Sequence, residues 1–297
     1  MNITILGAGA VGSLWACNLA SAGHTVTLWL RAAEATTHTI QMDDNPAVTF
    51  PANNDEDLER SDLILITVKA WQVKNAILPL LSKLHPDTIL MFMHNGMGAV
   101  EQISHELCPF PVVLATTTQA AIKPTSDTVK HTGSGLTRLG PFNERGNSCS
   151  FLAAVLHHAL PEVIWTADIY RALWQKLAIN CAINPLTALE QCQNGRLAEN
   201  RYAEQLDTII QEVSEVMQKE GITISTSELK NDVRTVITAT AENYSSMQQD
   251  ICHHRQSEID YITGYLCAKA ELHHISIPAN QALYAKIKRI EQGWRTP

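Results

Sequence analysis

Residues 3–6 (Ile-Thr-Ile-Leu) form a short, apolar, β-branched run that stops at Gly7. The stretch 13–22 then suits a helix, and after Gly23 residues 25–30 return to strand formers. Strand, helix and strand within about 30 residues is the length a β-α-β unit needs. The apolar runs 63–68 and 88–93 predict two more strands, separated by the helical pattern of Trp71, Val73, Ile77, Leu80, Leu81 and Leu84. Strands alternating with helices predict a parallel sheet covered on both faces. Residues 112–117 add a strand, and 128–131 with 136–139, separated by Gly133-Ser134-Gly135, predict a hairpin. The stretch 36–59 is the most polar and least regular. From about Asp168 strand signals fade and helical spacing dominates, through Leu173/Leu177, Leu206/Ile209/Ile210/Val213/Val216/Met217, Val233/Val236/Ile237 and Ile259/Ile262/Leu266.

The first strand runs straight into Gly7-Ala8-Gly9-Ala10-Val11-Gly12, a G-x-G-x-x-G string at a strand-to-helix junction. There the first glycine makes a tight turn, the second admits a pyrophosphate to the backbone, and the third lets the helix pack on the strand. The expected fold is therefore α/β, with an N-terminal Rossmann-type dinucleotide-binding domain at 1–166 and an all-helical C-terminal domain at 167–297 for substrate and catalysis. The second strand ends in Trp29-Leu30-Arg31, with no carboxylate before Glu34. An acid at this place suits the ribose of NAD and an arginine suits a 2′-phosphate, so NADP(H) is the expected cofactor.

Composition narrows the classes further. With 22 Lys plus Arg against 30 Asp plus Glu in 297 residues, the net charge of −8 offers no basic track for nucleic acid. Seven scattered cysteines without a C-x-x-C pair fit neither a disulfide framework nor a zinc site, and the cytoplasm is expected. Residues 3–30 lack Asp, Glu, Lys and Arg, yet their glycines, Asn18 and Ser21 suit a buried strand, turn and helix better than a membrane span. The expected partner is a small-molecule substrate, with no nucleic acid and no membrane, for a monomer or homodimer. The pairs His157-His158, His253-His254 and His273-His274 lack metal-ligand spacing, and no metal is expected.

Lys69 and Asn95 follow the ends of successive strands, the edge where open α/β sheets bind ligands, although taken alone a surface charge at Lys69 and a turn at Asn95-Gly96 fit as well. Lys176, Asn180 and Asn184 are spaced by four, which puts an ammonium and two carboxamides on one helix face able to hold a small anion. On spacing alone, a solvated face fits better, because most polar helix faces are solvated. Ser257-Glu258-Ile259-Asp260 has the S-x-x-D form of a helix start, with Ser257 as cap and Glu258 in the first turn.

In order along the chain, Gly7 to Gly12, Lys69-Ala70-Trp71, His94-Asn95-Gly96-Met97-Gly98, the K-x-x-x-N-x-x-x-N-P-L-T block from Lys176 to Thr187, Glu242-Asn243-Tyr244-Ser245-Ser246-Met247-Gln248-Gln249-Asp250 and Glu258-Ile259-Asp260-Tyr261 resemble the motifs of the ketopantoate reductase family, enterobacterial type. The likeness spans nearly the whole chain. It implies NADPH-dependent reduction of 2-dehydropantoate (ketopantoate) to (R)-pantoate in pantothenate and coenzyme A biosynthesis. It further implies that Lys176 is the general acid and that Glu258 is catalytic, hydrogen-bonding ligand. Substrate contacts would come from Asn95, Lys176, Asn180, Asn184, Asn194, Asn243 and Ser246. Cofactor contacts would come from Gly7, Ala8, Gly9, Ala10, Val11, Gly12, Arg31, Lys69, Asn95, Ala121 and Glu258. Gln119 departs from the pattern, since related enzymes carry His there. A reductase of the same architecture acting on another 2-keto or 3-hydroxy acid, or an NADP-sensing regulator, shares the nucleotide motif; the lysine, asparagines and glutamate speak against the regulator.

Overall fold

The computed structural model describes residues 1–32 and 34–294; Ala33 and the last three positions of the expected second domain, 295–297, lie outside that description. The chain divides into two compact units, one of Met1–His94 and Ala99–Ile169, the other of Asn95–Gly98 and Tyr170–Pro297.

The first unit contains strands β1 (Asn2–Leu6), β2 (Thr25–Trp29), β3 (Thr37–Met42), β4 (Val48–Pro51), β5 (Leu63–Ile66), β6 (Ile89–Phe92), β7 (Val112–Thr117), β8 (Ala120–Ile122), β9 (Thr128–Gly133), β10 (Thr137–Pro141) and β11 (Val163–Trp165). Its helices are α1 (Ala10–Ser21), α2 (Asp55–Glu59), α3 (Val73–Ile77), α4 (Ser104–Leu107) and α5 (Leu152–Ala159). The main sheet has the order β11-β10-β7-β6-β5-β1-β2. From β2 to β7 the pairs are parallel, and β10 runs antiparallel to β7. Parallel strands are buried on both faces, which is why Leu63-Ile64-Leu65-Ile66 and Ile89-Leu90-Met91-Phe92 are apolar without alternation. α1 explains the uncharged stretch near the N-terminus. Leu14, Trp15 and Leu19 are buried with Ile3, Ile5, Leu28, Leu65 and Met91 in one core, which leaves no room for a charge.

β1 is flanked by β2 on one side and β5 on the other, so the chain reverses direction across the sheet at the carboxyl end of β1. Such switch points are where open α/β sheets bind ligands.

Three expectations are corrected within this unit. The hairpin of 128–131 with 136–139 does not form. β9 pairs with β8 and β3 in a second sheet of order β4-β3-β9-β8, whereas β10 joins β7 and β11 in the main sheet. Gly133-Ser134-Gly135 hands the chain from one sheet to the other. A buried hydroxyl pair, Thr117 Oγ1 to Thr137 Oγ1 at 2.8 Å, marks the pairing that wins. The polar stretch 36–59 is ordered as the antiparallel pair β3 and β4 followed by α2. Its polarity reflects half-exposed strands rather than irregularity. The pattern of 71–84 is not one helix but α3 flanked by 3₁₀ turns at Ala70–Gln72 and Leu78–Lys83, the second containing Pro79.

The second unit is built from α6 (Ile169–Glu190), α7 (Ala203–Lys219), α8 (Thr226–Ala239), α9 (Ser246–Cys252), α10 (Thr263–Leu272) and α11 (Pro278–Gly293). Leu177, Ala178, Cys181 and Ala182 of α6, Ile209, Val213 and Val216 of α7, and Leu266 of α10 share its core. The segment Asn95–Gly98 belongs here although it directly follows β6. Met97 is buried in the helical core, and its N–H donates to the Tyr261 carbonyl at 2.8 Å. Gly96 has φ +81°, and a Cβ there would lie 2.4 Å from the Tyr261 carbonyl oxygen. Only glycine permits this approach.

Candidate active site

Two groups of functional side chains form, one in each unit. In the first unit, Gly7 (φ +100°) turns the chain out of β1, and a Cβ on it would meet Val68 Cγ1 at 2.6 Å. Gly12 lies inside α1, where a Cβ would be 2.0 Å from the Gly7 carbonyl oxygen and 2.5 Å from Thr67 Oγ1. Gly9 differs from both: a Cβ there would meet no protein atom within 4 Å. The protein's own packing therefore demands the first and third glycines but not the second. Gly9 is the N-cap of α1, no side chain caps it, and the first turn holds no carboxylate. The first N–H groups of α1 and its positive dipole end are thus left to an anion. An exposed glycine facing open space before an uncapped helix fits a bound pyrophosphate, so the residues present suit a dinucleotide.

Around this turn, Ala8, Ala10 and Val11 lie half-buried. Lys69 follows Val68, the residue that closes on Gly7, and Ala121 sits on β8 opposite His131. Arg31 is exposed just beyond β2. Its loop is pinned by Asn53, which accepts from the Leu30 N–H (2.7 Å) and donates to the Ala32 and Ala35 carbonyls (2.7 and 3.1 Å). Two residues here escape sequence reasoning. Asn53 carries no motif. Lys123 also lacks one, yet its ammonium donates to the Ala8 carbonyl (2.6 Å) and the Ser13 hydroxyl (3.1 Å), bringing a cation to the glycine turn. Gln119, the departure from the family pattern, is a buried structural node. It donates to the Gly135 and Pro161 carbonyls at 2.7 Å each, accepts from the Gly135 N–H at 3.0 Å and pairs with His131 at 2.8 Å.

In the second unit, Lys176, Asn180 and Asn184 project from α6 at successive turns. Asn184 is buried, and Lys176 and Asn180 are half-buried. Burial pulls the Lys176 ammonium down from its usual 10.5 to about 8, partly opposed by the Glu258 carboxylate, which favours the charged form. Glu258, 5% exposed, accepts from Asn95 Nδ2 at 3.2 Å. Lysine, carboxylate and carboxamide, distant in sequence, thus meet within one unit. The expected helix start at Ser257 is corrected. Ser257 does accept from the Ile259 N–H (3.2 Å), but the next element is a single 3₁₀ turn, Ile259–Tyr261, and α10 begins only at Thr263. Glu258 therefore does not owe its place to an α-helix dipole.

Further along α6, Thr187 and Ser245 share a buried hydroxyl contact of 2.8 Å, which ties the Asn243–Ser246 region to the end of this helix. The Asn194 N–H donates to the Asn243 carbonyl at 2.9 Å. Asn243 and Ser246 are exposed. Asn194 is 7% exposed; its Nδ2 donates to Thr240 Oγ1 at 2.9 Å, while its Oδ1 meets no donor among the described residues. An orphaned buried acceptor costs stability unless something supplies a donor, and a ligand hydroxyl would. Among the described residues, no group of three His, Cys, Asp or Glu is placed to hold a metal ion, and no helix is long and apolar enough to cross a membrane.

Comparison with known proteins matches both units. Residues 3–144 fit the family described as ketopantoate reductase PanE/ApbA, and residues 168–291 fit its C-terminal counterpart. The chain is 53% identical over 294 residues to a 2-dehydropantoate 2-reductase of Vibrio cholerae, covering 99% of both, and 40% identical over 299 residues to that of Escherichia coli O157:H7, covering 99% of this chain and 96% of the other. Among solved structures, a PanE/ApbA family ketopantoate reductase from Ralstonia eutropha superposes with a TM-score of 0.88 over the full length of both chains at 27% identity.

Proposed function

The chain belongs to the ketopantoate reductase family and is an oxidoreductase that reduces 2-dehydropantoate to pantoate; from that premise we propose that NADPH is the reductant, that (R)-pantoate is the product, and that Lys176 is the general acid. The observation that carries this reading is the half-buried lysine with its pKa lowered to about 8 beside the buried Glu258 carboxylate.

When bound to the first unit, the dinucleotide supplies a hydride to the keto carbon. The carbonyl oxygen then gathers negative charge that must be stabilised and protonated, and the Lys176 ammonium does both. An acid with a pKa near the working pH is largely protonated at neutrality yet gives up its proton readily. Glu258 keeps that nitrogen charged, and the Asn95 carboxamide orients Glu258. Asn180, Asn184, Asn194, Asn243 and Ser246 hold the carboxylate and hydroxyl of the keto acid without adding charge, with Asn194 Oδ1 accepting from the hydroxyl. Arg31 and Lys69 bind the 2′-phosphate end of the cofactor, and Gly7, Ala8, Gly9, Ala10, Val11 and Gly12 its pyrophosphate, with Ala121 alongside. Asn95 and Glu258 contact cofactor as well as keto acid.

NADPH oxidation followed with ketopantoate and a panel of 2-keto acids tests the substrate; faster turnover of another keto acid at equal concentration would displace ketopantoate. Two substitutions test the assignments. Arg31→Ala is expected to weaken NADPH about 10- to 100-fold while leaving NADH nearly unaffected, the effect of losing one charge-assisted hydrogen bond to phosphate. Equal losses for both cofactors would take the 2′-phosphate away from Arg31. Glu258→Ala is expected to raise KM for the keto acid about 10-fold and to shift the alkaline fall in kcat/KM to lower pH, because the Lys176 ammonium loses the charge that favours it. Unchanged kinetics with a lowered Tm would leave Glu258 a purely structural role.

A further inference from the structure

The stretch that carries Glu258 is closed locally by Ser257, whose hydroxyl accepts from the Ile259 N–H at 3.2 Å, and by the Glu258 carbonyl, which accepts from the Tyr261 and Ile262 N–H groups at 3.0 Å each. One stripe of the C-terminal helix anchors that turn from outside. Tyr284, Lys288 and Glu291 occupy i, i+4 and i+7 of α11 and so share a face. Oε1 of Glu291, a side chain only 5% exposed, accepts from both the N–H (2.8 Å) and the hydroxyl (2.7 Å) of Ser257. On the other side of Glu258, Asp260 accepts from the Tyr284 hydroxyl at 2.8 Å and the Lys288 ammonium at 2.7 Å. Lys288 also lies 3.5 Å from Glu291 Oε2. The residues flanking Glu258 are thus tied to α11, while the Glu258 carboxylate accepts from Asn95 and its charge favours the Lys176 ammonium.

A buried carboxylate is costly unless charged or strongly hydrogen-bonded neighbours compensate it. For Glu291, Ser257 and Lys288 provide that compensation, and Ser257 is the residue that immediately precedes Glu258. Of the carboxylates on this stretch and on the α11 stripe, Asp260 faces Tyr284 and Lys288, Glu291 faces Ser257 and Lys288, and Glu258 is the one that raises Lys176.

We propose that Glu291 is a positioning residue for the reduction: through Ser257 it fixes the turn that aims the Glu258 carboxylate at Lys176, so that the C-terminal helix sets how firmly the proton donor is held in its charged form. The proposal rests on the reading of Lys176 as general acid and Glu258 as its partner. A glutamine at 291 offers the same acceptor to both Ser257 donors, so the amide is expected to preserve the effect and alanine to abolish it.

The alkaline fall of kcat/KM, the NADPH Kd and Tm are to be measured for the parent, Glu258→Gln, Glu291→Ala, Glu291→Gln and Glu212→Ala. Glu212 is the structural comparator: also buried, it accepts from the Ala279 and Asn280 N–H groups at 2.9 Å at the start of the same α11, away from the 257–261 turn. Glu291→Ala is expected to move the alkaline fall to lower pH by about half a unit or more, in the direction of Glu258→Gln, and to lower kcat/KM for the keto acid about 10-fold with the NADPH Kd unchanged. Glu291→Gln is expected to keep the parental pH profile, and Glu212→Ala to lower Tm without moving it. Should Glu291→Ala not fold, Ser257→Ala removes one of the two bonds to Glu291 together with the bond from the Ile259 N–H, and a shift in the same direction is expected. An unmoved profile in the 291 or 257 variant while Glu258→Gln shifts it, an equal shift in Glu212→Ala, or failure of Glu291→Gln to keep the parental profile would each overturn the proposal. If Glu258→Gln itself leaves the profile unmoved, the pairing of Lys176 with Glu258 falls first, and the role of Glu291 falls with it.

Discussion

Lys176→Ala is expected to lower kcat by about 100-fold or more, the usual scale of general acid catalysis, while NADPH binds as in the parent. The fall of parental kcat/KM on the alkaline side, centred near the lysine's pKa of about 8, should vanish in the variant because the group that titrates is gone. Steady-state kinetics across pH and a fluorescence titration of NADPH check both points; a variant that reduces ketopantoate at close to the parental kcat removes the lysine from the chemistry. The same pKa carries a stability cost. In the unfolded chain the lysine titrates near its ordinary 10.5, so at neutral pH both states are protonated and the folded state bears the cost of burying the charge. A shift of that size is worth roughly 3 kcal/mol. Between about pH 8 and 10.5 the fold sheds the proton while the unfolded chain keeps it, so this cost shrinks as pH rises. Lys176→Met, which keeps the stem's packing, is accordingly expected to have a higher Tm than the parent at pH 7 and a diminishing advantage above about pH 8. A lower Tm at pH 7 would mean that the ammonium is well compensated in the fold.

Gly12→Ala and Gly9→Ala are expected to separate packing from ligand binding at the glycine turn. A methyl on Gly12 would overlap the Gly7 carbonyl and Thr67, so the turn must shift. Overpacking of this kind costs about 1–3 kcal/mol, and displacement of the helix N-terminus is expected to weaken NADPH about 100-fold or more. A methyl on Gly9 meets nothing in the protein. That variant should keep the parental Tm and still bind NADPH and NADH about 10-fold more weakly, because the methyl stands where the pyrophosphate approaches the backbone. Calorimetry with both nucleotides decides; full nucleotide affinity in Gly9→Ala would show that no phosphate comes near it.

The glycine turn, the buried parallel strands and the helical second half were legible in the sequence because each is a local pattern: a string at a junction, an unbroken apolar run, a repeat of three and four. The lysine-asparagine face on α6 was legible as a spacing, but spacing alone did not separate a site from a solvated surface. The fate of 128–139 was not legible, since the Gly-Ser-Gly signal marks a change of direction and says nothing about which edge receives the next strand. Lys123, Asn53 and Glu291 were invisible for a related reason. Each acts on a backbone group far away in sequence, and no periodicity records a partner. Glu258 could be singled out, but only part of the basis for its position was legible: the capping string is real at Ser257, yet it closes a single 3₁₀ turn that contacts from α11 also anchor.

The placement of Asn95–Gly98 constrains how this chain can be made or cut. Met97 fills the core of the helical unit, yet it is synthesised at the end of β6, well before any of the helices that receive it. That unit is therefore completed only by a residue encoded inside the other one. A fragment beginning at Asp168 would contain Lys176 and Glu258 but lack both the methionine that plugs its core and the Asn95 amide that holds its carboxylate. Autonomous expression of the helical half thus calls for grafting those few residues back, and on the ribosome the segment has to wait for the downstream helices before its burial is possible.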